Sequence, residues 1–171
     1  MCRKFITSKE NQELLTKISS DNLKELPETI TLNKQAYAIV LEDKKLKIKK
    51  LNFGYTNLDK IIYNARSETV LTKSLFKDDF LQRKAIFICN GYFEYNRLKE
   101  EEYFTSNSYF FLTGFYNQNN EFVLLTKKGD YLPREPLSIT KKDAVNYLNN
   151  KLDLNKIEHP LITKANDISL F

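Results

Sequence analysis

The segment Ser108-Tyr109-Phe110-Phe111-Leu112-Thr113-Gly114-Phe115-Tyr116, followed by Asn117-Gln118-Asn119-Asn120 and then Glu121-Phe122-Val123-Leu124-Leu125-Thr126, decides the fold class. β-Rich runs flank four polar residues with turn chemistry, so the segment reads as a β-hairpin. Working outward, Ala85 to Cys89 is an apolar run of strand length, and Gly91 to Tyr95 continues it after a break. Residues 35–41 and 46–53 suit two further strands joined by the polar turn Glu42-Asp43-Lys44-Lys45. Helical spacing is confined to three places: residues 8–19, with Ser8 as a cap; residues 73–83, through Leu75, Phe76 and Phe80; and a stretch opened by Thr140 that carries Ala144, Val145 and Leu148. Strands outnumber helices and do not alternate with them regularly, as a doubly wound parallel sheet would require. The fold class expected is therefore α+β.

At 171 residues the chain is within the reach of one hydrophobic core, and residues 1–171 are expected to form a single domain. With 29% charged and 13% aromatic residues it belongs among folded chains rather than disordered ones. No apolar run approaches the ~20 residues a spanning helix needs, and the opening Met1-Cys2-Arg3-Lys4-Phe5 lacks the apolar stretch of a secretory signal. A cytoplasmic protein, with no membrane partner, is expected. Four glycines, none clustered, exclude the phosphate-binding loops of nucleotide enzymes. Cys2, Cys89 and the single His159 are too few for a four-ligand zinc site, so no metal and no cofactor are expected. The same scarcity disfavours most hydrolase mechanisms, because His159 is the sole imidazole base. The net charge of +5 favours a polyanionic partner, nucleic acid foremost. The densest basic run, Lys44 to Lys50, alternates with Leu46 and Ile48 and reads as a strand with one lysine-rich face, of the kind that guards a sheet edge.

Cys2 carries the most distinctive chemistry. Removal of Met1 would leave an α-amine and a thiol on adjacent carbons. An α-amine with a pKa near ~8 is substantially neutral at physiological pH, so it can attack an aldehyde to give a Schiff base. The thiol can then close a five-membered thiazolidine. Two further segments stand with it: Asn64-Ala65-Arg66-Ser67-Glu68-Thr69, and Gly91-Tyr92-Phe93-Glu94-Tyr95 at the end of the apolar run. Together with Met1-Cys2 they resemble the SOS response-associated peptidase family, the abasic-site processing proteins, whose marks are an opening Met-Cys, Asn-Ala-Arg-x-Glu-Thr and Gly-Phe-Tyr-Glu-Trp. The resemblance is clearest over residues 2–145.

The resemblance implies a compact, mostly antiparallel and barrel-like β core with a few flanking helices. It also implies a monomer that acts on single-stranded DNA: Cys2 linked covalently to the ring-opened aldehyde of an abasic site, with Asn64 positioning the reacting centre and Glu94 as acid/base. A desolvated Glu94, flanked by Phe93 and Tyr95, would have its pKa raised toward working pH. Arg66 can fork onto a phosphate, with Glu68, two residues on, orienting it. Phe53-Gly54 stands at the family's Trp-Gly and Tyr95 at its second Trp, offering rings for base stacking, although Phe53 suits core packing equally. The family's His-x-Arg-Met-Pro reads Leu132-Pro133-Arg134-Glu135-Pro136 here: Arg134 and Pro136 match, Leu132 cannot transfer a proton, and slow reversal of the crosslink is expected. His159 reads as an ordinary surface or packing residue and Cys89 as core. The family also usually has Gly where Arg3 stands. Two other readings remain open: a single-stranded DNA-binding module that has lost the chemistry, and a peptidase using Cys2.

Overall fold

The computed structural model describes residues 1–19, 22–129 and 132–165. Along the chain lie β1 (Lys4–Ile6), α1 (Lys9–Leu15), β2 (Thr29–Thr31), β3 (Gln35–Glu42), β4 (Lys45–Phe53), β5 (Tyr55–Asn57), β6 (Lys60–Ile62), β7 (Asn64–Arg66), α2 (Lys77–Gln82), β8 (Lys84–Tyr95), β9 (Glu101–Tyr116), β10 (Glu121–Lys128), β11 (Arg134–Pro136), β12 (Ser138–Ile139), α3 (Lys141–Leu148) and β13 (Thr163–Lys164). The fold is α+β and mostly β, as expected. Strand β9 pairs with both β8 and β10, β10 runs beside β4, β4 beside β3, and β3 returns to β8, so five strands close a ring. All these pairings are antiparallel except β4 with β10.

Side chains alternate across the ring and fill two cores. One face of its strands supplies Ala36, Ala38, Val40, Leu51, Phe53, Phe87, Leu112, Phe122 and Leu124, joined by Phe5 and Cys2. Phe53 lies flat on Phe122 at 4.7 Å, while Phe5 meets both edge-on. The alanines leave room for these rings. The opposite face supplies Ile39, Ile86, Ile88, Phe111, Phe115 and Val123, and the helices cover it through Leu15, Phe80, Ala144 and Tyr147. Gly114 is required where β9 and β10 approach, since a Cβ there would collide with the Val123 carbonyl.

The expected hairpins form with sharper ends. Asp43 and Lys44 both take positive φ, 51° and 61°, so the β3–β4 turn is the two-residue type whose twist matches the strands. The break between Cys89 and Gly91 is a bulge in β8. It serves as an anchor: Asn90 Oδ1 accepts from the Ser8 N–H at 2.7 Å and the Asn11 amide at 2.8 Å, and Thr7 Oγ1 donates to the Ile88 carbonyl at 2.6 Å. Ser8 caps α1 by accepting from the Asn11 N–H, but the helix covers only Lys9–Leu15 of the expected 8–19. Likewise only Lys77–Gln82 of 73–83 is α-helical, the preceding residues forming turns. The lysine-rich strand β4 pairs with β3 throughout, and Lys47 and Lys49 are engaged by Glu42, Lys49 also lying 5.0 Å from the Tyr116 ring centre.

Candidate active site

The bulge contacts that hold residues 7–11 fix the register of the chain before them. β1 pairs antiparallel with β8 as Lys4↔Phe93 and Phe5↔Tyr92, so the preceding Arg3 and Cys2 run alongside Glu94 and Tyr95. Cys2 is completely buried, and its thiol donates to the Lys4 carbonyl at 3.6 Å. Burial pushes the thiol pKa well up, and the nearby Glu94 charge adds to the effect. Met1 stays exposed at 57%, and its ammonium donates to Glu94 Oε2 at 2.6 Å.

Glu94 is 1% exposed. Its neighbour Tyr92, on the same face two residues earlier, is buried too, so the carboxyl enters the protein among apolar walls. Desolvation raises its pKa above the ordinary carboxylate range despite the Met1 ammonium, which pulls the other way. Its second oxygen, Oε1, has no hydrogen-bond partner. Only one other buried side-chain polar atom among the described residues shares that condition, and it is Asn64 Oδ1, whose amide nitrogen donates to the Tyr63 carbonyl at 2.9 Å. Asn64 is delivered by β7, which lies parallel to β10 with Asn64↔Leu124 and Arg66↔Thr126. Arg3 connects the two elements: its guanidinium carbon lies 5.9 Å from the ring centre of Tyr63, next to Asn64, and 5.4 Å from that of Tyr95, next to Glu94.

The basic residues are arranged differently from the expectation. Glu68 does not orient Arg66. It takes both ends of the Arg134 fork, at 3.1 and 2.8 Å, while Arg134 also donates to the Thr126 carbonyl at 2.7 Å and to Thr126 Oγ1 at 3.1 Å. The reason is register: β11 lies antiparallel to β10 with Arg134↔Lys128 and Pro136↔Thr126, bringing Arg134 to the chain turn after β7. Arg134 holds Glu68 below its usual pKa, and Arg66 remains exposed with no ion-pair partner among the described residues. Phe53 is fully buried, stacked on Phe122, and therefore offers no face to a base. Gly54, at φ 108°, donates its N–H to the Phe122 carbonyl and turns the chain out of the ring, with Ile61 where a side chain would go. Tyr95, 42% exposed, is the expected aromatic that does present a surface.

Leu132 packs in the same cluster as Cys2. His159 lies on another segment, with Nδ1 3.0 Å from the Ser138 carbonyl. Tyr63 and Tyr92 have no assignment in the sequence reading, where Arg3 figures only as a departure from a glycine. Period-two spacing could have flagged Tyr92, which shares a face with Glu94; the approach of Tyr63 to Arg3 comes from a tertiary pairing and left no local signal.

The profile of the family described as SOS response associated peptidase (SRAP) matches residues 1–170. Solved structures share the fold. A protein from Bordetella bronchiseptica has a TM-score of 0.72 at 16% identity, over 96% of this chain and 100% of its own. A phage-related protein from the same organism has a TM-score of 0.71 at 13% identity, over 96% and 94%. A protein from Bacteroides thetaiotaomicron has a TM-score of 0.67 at 15% identity, over 97% and 93%. No curated protein matches the chain. Among the described residues no helix is long and apolar enough to cross a membrane.

Proposed function

The chain belongs to the SOS response associated peptidase family, and from that premise we propose that it captures abasic sites in single-stranded DNA through Cys2. One observation carries the proposal. Among the described residues the two buried side-chain polar atoms without partners are Glu94 Oε1, whose carboxylate lies near the buried Cys2 thiol, and Asn64 Oδ1, beside Tyr63, whose ring Arg3 reaches together with that of Tyr95. Unpaired buried polar atoms cost about 1–3 kcal/mol each, and their retention is understandable where a ligand completes them.

The chemistry runs in three steps once Met1 is removed. The Cys2 amine adds to the C1′ aldehyde of the opened sugar, giving a carbinolamine. Glu94 in its protonated form gives a proton to the departing hydroxyl, water leaves, and a Schiff base forms. This Schiff base carries the amine's remaining proton on nitrogen; the Glu94 carboxylate takes the thiol proton as the Cys2 sulfur adds to the iminium carbon, and a neutral thiazolidine ring closes with Glu94 protonated again. The balance is one water lost per adduct. A carboxyl whose pKa is raised by burial is suited to both the donor and acceptor steps. Asn64 Oδ1 can accept from the carbinolamine or a sugar hydroxyl. Met1 removal shortens the chain by one Cα step, ~3.8 Å, and frees the Glu94 oxygen that its ammonium holds. Arg66 and Tyr95 supply an exposed cation and an exposed ring for the backbone and a base. With leucine at position 132, reversal of the adduct is slow.

Intact mass measured before and after incubation with a single-stranded oligonucleotide bearing one abasic site tests the proposal. Loss of Met1 and a heat-stable adduct of protein plus DNA minus water are expected. Retained Met1, salt-sensitive binding of undamaged single strands and no adduct would instead identify a binding module without the reaction.

A further inference from the structure

Tyr92 stands between the reacting centre and a cleft of about 890 Å³ whose wall also holds Leu132, Glu135 and Lys127. Tyr92, Leu132 and Cys2 belong to one buried cluster, and strand alternation puts Tyr92 on the same face of β8 as Glu94. The phenol ring is fixed: it stacks on Phe104 with centres 5.4 Å apart and meets Phe110 edge-on at 87°. At 3% exposure it offers no open face, and what it brings to the site is its hydroxyl. That hydroxyl makes no hydrogen bond among the described residues. Burial, and then the charges of Glu135, Cys2 and Glu94 around it, push its pKa well up, so it keeps its proton.

Three departures from the family's motifs meet here. Tyr92 stands where Gly-Phe-Tyr-Glu-Trp has Phe, and Glu135 where His-x-Arg-Met-Pro has Met, beside Leu132 in place of His. The wall that lacks the imidazole thus gains a phenol and a carboxyl. Glu135 is loosely held, its side chain 15% exposed and its Lys127 partner 3.8 Å away. An unpaired donor placed like the Tyr92 hydroxyl is completed by an oxygen that the substrate brings. One step of aldehyde capture needs such a donor. An abasic sugar is mostly a closed hemiacetal, and the Cys2 amine adds to the open aldehyde. Opening takes a proton from the C1′ hydroxyl and delivers one to the ring oxygen O4′.

We propose that the Tyr92 hydroxyl protonates the ring oxygen of the abasic sugar and that Glu135 orients and reprotonates that hydroxyl, so that the protein opens its own substrate. Tyr92 is then a catalytic residue and Glu135 a positioning one. The Glu94 carboxylate takes the C1′ hydroxyl proton, the C1′–O4′ bond breaks with its electron pair going to O4′, and O4′ takes the phenolic proton. Glu135 in its acid form returns a proton to the phenolate and recovers it from the solvent of the cleft. The balance is one solvent proton moved to O4′ and the C1′ hydroxyl proton moved to Glu94. Glu94 is thereby left in the form that the dehydration step uses. The inference rests on the abasic-site reading above and adds residues to that reaction.

The test compares adduct formation on two single-stranded oligonucleotides: one with a natural abasic site, and one whose aldehyde sits on an acyclic linker without the 4′ oxygen and so has no ring to open. The quantity read is the ratio of the two rates at saturating oligonucleotide. Tyr92→Phe keeps the stacked ring and is expected to lower the natural-to-acyclic ratio about a hundredfold, the lower end of what a positioned proton donor contributes. Glu135→Gln should lower it about tenfold and add nothing further in Tyr92→Phe, because it acts through that hydroxyl. A merely structural role slows both substrates alike, so a Tyr92→Phe ratio within about threefold of wild type overturns the proposal. Additive effects of the two variants overturn the part given to Glu135. Wild type that forms no adduct with either aldehyde refutes the abasic-site reading and this inference with it. Adducts with both, and a ratio that Tyr92→Phe does not move, refute this inference alone.

Discussion

Replacing Glu94 by Gln should stabilise the protein while stopping its chemistry. The carboxyl is 1% exposed, one oxygen has no partner, and burial raises its pKa. Glutamine keeps a polar oxygen at that place but removes the charge, and relief of the desolvation of a buried charged group is worth about 1–3 kcal/mol. The opposing loss is the ion pair to Met1, whose 57% exposure limits it to about 0–1 kcal/mol. The net gain is about 1–2 kcal/mol, or a Tm rise of roughly 2–8 °C for a domain of this size. The pH dependence fixes the cause. Because the folded pKa lies above the unfolded one, the native state holds the proton over that interval while the unfolded chain releases it. Wild-type stability therefore falls as pH rises from the ordinary carboxylate range through the raised value, and Glu94→Gln lacks that fall. Thermal melts of the two proteins should coincide near pH 4 and separate as pH increases to 7. Adduct formation by the variant should drop about 10²–10⁴-fold, the usual worth of a positioned proton donor. A variant that melts lower than wild type by the same margin at every pH, and still forms the adduct, would refute this account and make Glu94 an ordinary partner of the N-terminus.

Three other outcomes follow from named contacts. Cys2→Ser keeps the α-amine but cannot close a thiazolidine, so its adduct should survive heating only after borohydride reduction; a heat-stable unreduced adduct at wild-type yield would remove the thiol from the ring-closing step. Arg134→Ala strips Glu68 of its fork and Thr126 of two bonds, and should cost about 1–3 kcal/mol in urea unfolding, with Arg134→Lys recovering less than half because an ammonium cannot reproduce the fork. Lys84, packed against the rings of Phe80 and Tyr147, has its pKa lowered to about 8, so the unfolded chain binds the extra proton between that pH and the ordinary lysine range. Stability should thus gain a rising contribution above about pH 8 that Lys84→Met abolishes, measured as the difference in melting temperature across that interval.

The local half of this fold was legible and the closing half was not. The hairpin over 108–126, the turn at Asp43 and Lys44, the interruption at Asn90 and the Ser8 cap all follow from residues within a few positions of one another. Closure of the ring depends on β9 pairing on both edges and on β10 lying parallel to β4 and β7. The two parallel pairings of β10 join residues 60 or more positions apart, as at Leu124↔Asn64 and Glu121↔Asn52, and three-residue strands such as Asn64–Arg66 carry no periodicity to announce them. The site divides in the same way. Cys2, Asn64 and Glu94 stand in short motifs; Cys2 precedes β1, which pairs with the Glu94 strand β8, while Asn64 lies on β7, paired with β10. Phe53 reads from sequence equally as a stacking ring and as core, and its inward face, shared with Leu51 two residues earlier, places it in the core. Glu68 was assigned to Arg66 because they are neighbours in sequence, whereas the stronger fork belongs to Arg134, which only the β10–β11 pairing brings near.

The relation between Met1 and Glu94 links the stability of the site to its activation. Met1 places a cation on one carboxyl oxygen and thereby lowers a pKa that burial raises. Removing Met1 takes that cation away, and the new terminal amine belongs to Cys2, whose thiol is already buried beside the same carboxylate. If the Cys2 amine is neutral, Glu94 loses its counter-charge and holds its proton to higher pH. If the amine is protonated, it takes the place of the Met1 ammonium. With one proton between amine and carboxyl, the neutral pair costs less than the ion pair where both groups are buried, because two charges brought inside must both be desolvated. The neutral pair, amine without its proton and acid with it, is also the pair that the first two steps of aldehyde capture require. On the proposed reading, processing of Met1 would do more than expose a nucleophile: it would shift the proton inventory of the pocket toward the reactive state, which titration of the processed and unprocessed proteins between pH 5 and pH 9 would register as a higher Glu94 pKa after processing.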